Sequence, residues 1–196
     1  MNTLRWALLE AAQQGYQKGL FSGTSGNLSM KVGENQILIT PTSVRYETMT
    51  PEQLVLMDLE GKAQEGTPSS EWRLHAALYR RFPEIQAVVH THSVYATAFA
   101  AARKEIPLAL IEMQYFLGGS VPCADYAVPG TEAVGESCAR VLPGHGGCLM
   151  ANHGAVAIGR SLSEAFLRAE YIEDAARITL LATQLGGVYP LTQEDF

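Results

Sequence analysis

Between Pro83 and Ser93 the chain reads P-E-I-Q-A-V-V-H-T-H-S, and this segment constrains the fold more than any other. The run from Gln86 to Thr91 is too short for an independent helix and too continuously apolar for a strand with one wet face, so it reads as a buried strand. Such a strand needs a sheet around it and helices over it. The rest of the chain offers both. Leu4, Ala7, Leu8, Ala11 and Ala12 share one face of a helix over roughly the first 18 residues, with Thr3 as the expected cap. Leu28 to Val32 and Gln36 to Thr40 flank Gly33-Glu34-Asn35 and predict a hairpin. Thr50-Pro51-Glu52-Gln53 has the pattern of a capped short helix leading into a strand, Leu54 to Leu59, and a turn from Asp58 to Gly61. Ser69 or Ser70 is the expected cap of a helix carrying Trp72, Leu74, Ala77 and Leu78, which stops near Phe82 because the residue before Pro83 is pushed out of the α region.

Further on, Ser93 to Ala102 and Thr131 to Val141 read as helices, and Pro107 to Met113 and Ser120 to Pro122 as extended chain. Leu149 to Ile158 holds two apolar runs broken by Asn152-His153-Gly154. Ser161 and Glu164 form a capping-box pattern that opens a long amphipathic helix ending near Gly186-Gly187. Helices mixed irregularly with hairpin-linked strands predict an α/β fold with a central, mainly antiparallel sheet. With 196 residues, no internal repeat and no linker, one domain over 1–196 is the simplest organisation.

Charge and composition exclude whole classes of function. Fourteen basic against twenty acidic residues, a net charge of −6, and no basic stripe rule out nucleic acid as a partner. No apolar run approaches the ~20 residues that cross a bilayer, so no membrane span is expected. The first segment, with Arg5 and Glu10 and no small-residue cleavage site, reads as a mature helix and not a signal peptide. Cys123, Cys138 and Cys148 are odd in number and lack metal spacing, which fits reduced thiols in a cytoplasm and predicts no disulfide.

The chemistry concentrates at the end of the buried run. In a strand, the two-residue spacing of His90 and His92 sends both rings to one face, where they could chelate one ion. The pair alone is equally what two rings bonded to the backbone would look like. His153, in A-N-H-G-A between apolar runs, shifts the balance, because a long-range strand contact would complete the three-nitrogen set of catalytic zinc. Glu71, at the first turn of the helix just before this strand, supplies a carboxylate whose anionic form the helix N-terminus favours. His75 could be a fourth ligand, although a histidine on a helix face is more often packed, and His145 reads as a solvated loop residue. Gly23-Thr24-Ser25-Gly26-Asn27, Thr42-Ser43 and Ser69-Ser70 offer hydroxyls and backbone N–H groups to an anion, or merely turn and cap the chain.

Taken in order, G-T-S-G-N-L-S, I-T-P-T-S, P-S-S-E-W-R-L-H, V-V-H-T-H-S and A-N-H-G-A resemble the class II aldolase and adducin family, from about residue 3 to about residue 185. The likeness is strongest to its aldolases of L-fuculose 1-phosphate. The resemblance implies a three-layer α/β/α sandwich assembled as a cyclic homotetramer, with active sites at subunit boundaries. It implies one zinc ion per subunit on His90, His92 and His153, with Glu71 as both resting ligand and acid/base. Asn27, Thr42, Ser43, Ser69, Ser70 and Thr24 match positions around a substrate phosphate. The implied reaction is cleavage of a ketose 1-phosphate to dihydroxyacetone phosphate and an aldehyde through a metal-stabilised enediolate.

The chain departs from the pattern on the aldehyde side. The tyrosine-bearing C-terminal extension of the fuculose enzymes has no counterpart before Phe196, and Tyr115 is the candidate for a second tyrosine whose gap-free position is Met113. Related 4-epimerases use Asp where Glu71 stands. Methylthioribulose-1-phosphate dehydratases share the zinc histidines, and an adducin-like binding module would have lost them.

Overall fold

A computed structural model describes residues 1–196, the side chain of residue 193 excepted. Helix α1 (Asn2–Gln17) leads to strands β1 (Asn27–Gly33) and β2 (Gln36–Ile39), then β3 (Val55–Asp58), helix α2 (Trp72–Arg81) and strand β4 (Ala87–Thr91). Helix α3 (Val94–Ala102), strand β5 (Cys123–Ala124), helix α4 (Glu132–Val141), strands β6 (Gly147–Met150) and β7 (Gly154–Gly159) and helix α5 (Leu162–Gln184) complete it. Among the described residues the sheet has seven strands in the order β3-β2-β1-β4-β7-β6-β5, and only the β5–β6 pair is parallel. The buried run is therefore the middle strand.

Strand periodicity sorts the side chains into two cores. Leu38, Ala87, Val89, Ala155 and Ala157 pack with α1, α3 and α5, while Ile37, Ile39, Val88, Val156 and Ile158 pack with α2 and α4. Each fully buried aliphatic side chain contributes about 1.5–3 kcal/mol, and the two layers together make the three-layer sandwich. α2 and α4 approach closely because Gly135 lacks a side chain: a Cβ there would lie 2.4 Å from that of Ala77.

Four local expectations change. α1 begins at Asn2 with Met1 at its cap, so Thr3 lies inside the first turn. Glu71, and not Ser69 or Ser70, holds the cap position of α2, while Ser69 Oγ accepts from the Glu71 amide at 3.3 Å. His92 lies just beyond β4, whose last residue is Thr91. Pro107 to Met113 is not extended. Ile106 makes an isolated bridge to Val121, and the chain then winds into a π-helical turn, Met113–Leu117, anchored by buried Met113 and Leu117. Gly118 ends that turn at φ 81°. β5 escapes sequence reading because two residues carry no periodicity.

Candidate metal centre

Three elements and one tight turn converge where β4 ends. His90, fully buried on the α2 side of the sheet, is paired in register with Asn27 of β1 and Val156 of β7. Its Nδ1–H donates to the Ala155 carbonyl at 2.9 Å, which fixes the tautomer and aims the Nε2 lone pair at the cluster. His92 follows one residue after the strand, held by its backbone N–H on the Leu20 carbonyl at 3.2 Å. His153 arrives from the β6–β7 turn, where Asn152 adopts φ 58° and its Oδ1 accepts from Arg103 Nε at 2.9 Å. Gly154 follows because the turn abuts β4: a Cβ there would lie 2.3 Å from the Thr91 carbonyl oxygen.

The donor atoms face one another. His90 Nε2 lies 2.9 Å from Glu71 Oε2 and 3.0 Å from His92 Nε2, and His153 Nε2 lies 3.2 Å from Glu71 Oε1. One ligand atom from each of the four residues falls within 4.8 Å of every other, and the three rings meet edge to face at 4.7–5.0 Å between centroids. Burial pushes His92 down to about 4, so its ring is neutral near pH 7. Burial works to raise the Glu71 carboxyl, but the His153 and His90 rings outweigh it and hold the group well below the ordinary carboxylate range. Glu71 Oε1 is buried, facing the His153 ring nitrogen. Neutral imidazole lone pairs and an anionic oxygen pointed at one spot repel unless a cation lies between them, so this N3O set fits a divalent ion.

Glu71, His92 and His153 also line a cavity of about 270 Å³, together with Thr24, Asn27, Thr42, Ser43, Ser69 and Ser70. The structure thus gathers all six candidate phosphate residues beside the four metal-type donors. Among the described residues no Lys or Arg lines this cavity. The 23–27 loop passes tightly under β4: Gly26, at φ 81°, leaves no room for a Cβ, which would meet the His90 carbonyl oxygen at 2.8 Å. Tyr46 Oη donates to the Gly26 carbonyl at 2.7 Å and fixes the loop.

Some predicted residues fall elsewhere, and others went unforeseen. Tyr115 does not join Glu71 within the chain; the π-helical turn carries it outward, 73% exposed and 6.2 Å from the Phe196 ring, to line a second cavity with His145. His75 is buried behind the cluster and is not one of its donors. Pro129 and Gly130 also line the site cavity, and nothing in their side chains announces that. Glu173, on the long helix, accepts from the Tyr95 and Ala96 amides at 2.9 and 2.8 Å and so caps α3, which begins two residues after His92, a tertiary contact with no local sequence signal.

Residues 7–180 match the family profile of the Class II Aldolase and Adducin N-terminal domain. The L-fuculose phosphate aldolase of Escherichia coli (strain K12) is 34% identical over 195 residues, covering 99% of this chain and 90% of that protein. The 5-methylthioribulose-1-phosphate/5-deoxyribulose-1-phosphate aldolase of Rhodospirillum rubrum is 35% identical over 174 residues, covering 88% of this chain and 78% of that one. A solved L-fuculose 1-phosphate aldolase superposes with a TM-score of 0.93 at 31% identity, covering 100% of this chain and 93% of the other. Full-length likeness in sequence and backbone, with a metal-type donor cluster at the centre of the sheet, places the chain in the class II aldolase and adducin family, among its aldolases, a class of lyases.

Proposed function

We propose that this protein is a zinc-dependent aldolase that cleaves a ketose 1-phosphate of the L-fuculose 1-phosphate type to dihydroxyacetone phosphate and an aldehyde. The observation that carries the reading is Glu71: a carboxylate set among three imidazoles, on the wall of a cavity whose other polar side chains are hydroxyls, an amide and two of those imidazoles. A divalent ion held by His90, His92, His153 and Glu71 would supply Lewis acidity that stabilises negative charge developing on substrate oxygens. Ser69 and Ser70, just ahead of α2, with Thr24, Asn27, Thr42 and Ser43, hold the phosphate by neutral donors near a helix N-terminus. That anchorage fixes the carbon skeleton against Glu71.

In cleavage the Glu71 carboxylate takes up the proton of the substrate C4 hydroxyl, the C3–C4 bond breaks with its electron pair left on C3, and the aldehyde departs. Glu71 then delivers a proton to C3 of the remaining enediolate, and in synthesis it removes that proton. Retention of all three histidines supports an enzyme over a scaffold, and Glu at position 71 supports an aldolase over an epimerase. The likeness to the Rhodospirillum rubrum aldolase brings 5-methylthioribulose and 5-deoxyribulose 1-phosphates in as substrates of the same chemistry. Three free cysteines support a reducing compartment such as the cytoplasm. Tyr115, exposed and turned away from its own cavity, would in a homotetramer serve that of a neighbour.

Incubating the zinc-loaded protein with L-fuculose 1-phosphate and with these deoxypentulose phosphates should release dihydroxyacetone phosphate from at least one. Release from none removes the aldolase reading, and loss of water instead of C–C cleavage would make the protein a dehydratase. Light scattering on the same preparation should give the mass of four chains, and a monomer would remove Tyr115 from the site.

A further inference from the structure

Behind Glu71 a chain of buried polar side chains runs between α2 and β1. Glu71, His75 and Tyr79 are spaced by four, so they share one face of α2 and look down on Asn27 and Ser29, which share one face of β1. Asn27 Nδ2 lies 3.3 Å from Glu71 Oε2, and Asn27 Oδ1 lies 2.5 Å from His75 Nε2. Ser29 Oγ lies 2.6 Å from His75 Nδ1 and 2.9 Å from Tyr79 Oη.

The direction of every bond in this chain follows from one end. A carboxylate only accepts, so Asn27 turns its NH2 toward Glu71 and its carbonyl oxygen toward His75. His75 must then donate from Nε2, which leaves Nδ1 as an acceptor for the Ser29 hydroxyl, and Ser29 in turn accepts from Tyr79. The arrangement requires a neutral His75, and burial, with a smaller push from His90, sends its pKa down to about 3 against the opposing pull of Glu71. Proton relay is not its purpose, because the chain ends at Tyr79, which is buried at only 2% exposure.

We propose that His75 is a positioning residue of the metal centre: by donating to Asn27 Oδ1 it locks the Asn27 amide in the one orientation that presents NH2 to Glu71, and so holds the carboxylate in the donor cluster. Without that bond the amide is free to turn its oxygen toward Glu71, and two acceptors would face each other. Ser29 and Tyr79 act one step further back by fixing the His75 tautomer. The inference rests on the metal-holding part of the proposed function and not on the identity of the sugar.

The test strips the full chain of metal and titrates it with zinc against a chromogenic chelator. His75→Leu should weaken zinc binding by about tenfold, the scale of a lost outer partner, and His75→Gln, whose amide N–H can reach the same oxygen, by no more than about threefold. In an Asn27→Ala background the His75→Leu change should cost less than about twofold, as expected of residues acting in series. If His75→Leu does not fold, Ser29→Ala removes the donor to Nδ1 and carries the same expectation, including its disappearance beside Asn27→Ala. Equal losses in both backgrounds, or parental zinc affinity in the single variants, would overturn the proposal. The expected zinc pattern in a protein that cleaves no ketose 1-phosphate would support this role while ending the aldolase reading.

Discussion

Glu71 meets two demands that pull against each other. As a neighbour of three imidazoles it is held ionised, and in the proposed role of proton carrier to carbon it would have to accept one during turnover. Replacement by Gln keeps the shape and one ligating oxygen but cannot cycle a proton. Glu71→Gln should therefore fold normally by circular dichroism and lose ~100-fold or more in turnover, the scale of a general acid/base. Parental turnover would move the base elsewhere. Part of this centre is legible residue by residue: the spacing of His90 and His92 states a shared face, and Glu71 announces itself as a charge at the start of a helix, although it takes the cap position and not the first turn. His153 is legible only through a strand contact 63 positions away in sequence, by subtraction of 90 from 153. The roles of His75 and Glu173 are not legible at all, because each is defined by a partner on another element, Asn27 for one and the α3 amides for the other.

The elements show the same division. Apolar periodicity locates α2, α4 and the β1–β2 hairpin, and the Ser161 cap fixes the start of α5, since those signals are local. The segment after Ile106 misleads, because its extended-looking composition is overruled by two anchors, Met113 and Leu117, that reach the core only if the chain winds into a wide turn. Between β6 and β7 the decisive residue is the one with no side chain. Gly154→Ala would drive a methyl group against the Thr91 carbonyl, pushing β7 off β4 at the point where His153 and His90 must meet. Overpacking of this kind costs about 1–3 kcal/mol. The variant should melt earlier than the parent and bind zinc more weakly, and an unchanged zinc affinity would mean that the turn carries His153 independently of the strand.

For the whole molecule, the buried polar chain sets a liability in acid. Above the ordinary histidine value of 6.5, His75 is neutral whether the protein is folded or not, and it contributes nothing to pH dependence. Below that value the unfolded chain takes up a proton that the folded one refuses until about 3, so stability falls as pH falls across this interval, by up to about 1.4 kcal/mol per pH unit. Urea midpoints of the metal-free protein should drop between pH 7 and pH 5, and His75→Gln should remove that part of the drop. A midpoint as acid-sensitive in the variant as in the parent would assign the effect to other groups.

The placement of β4 in the middle of the sheet carries a last consequence. The strand that bears His90 is shielded by three strands on either edge and a helical layer on either face, so its amides should be among the last to exchange with deuterium. Small zinc modules collapse when their ion is taken, because the ion is their core. Here the architecture precedes the ion, and the empty socket should survive chelation and accept a substitute such as cobalt without refolding.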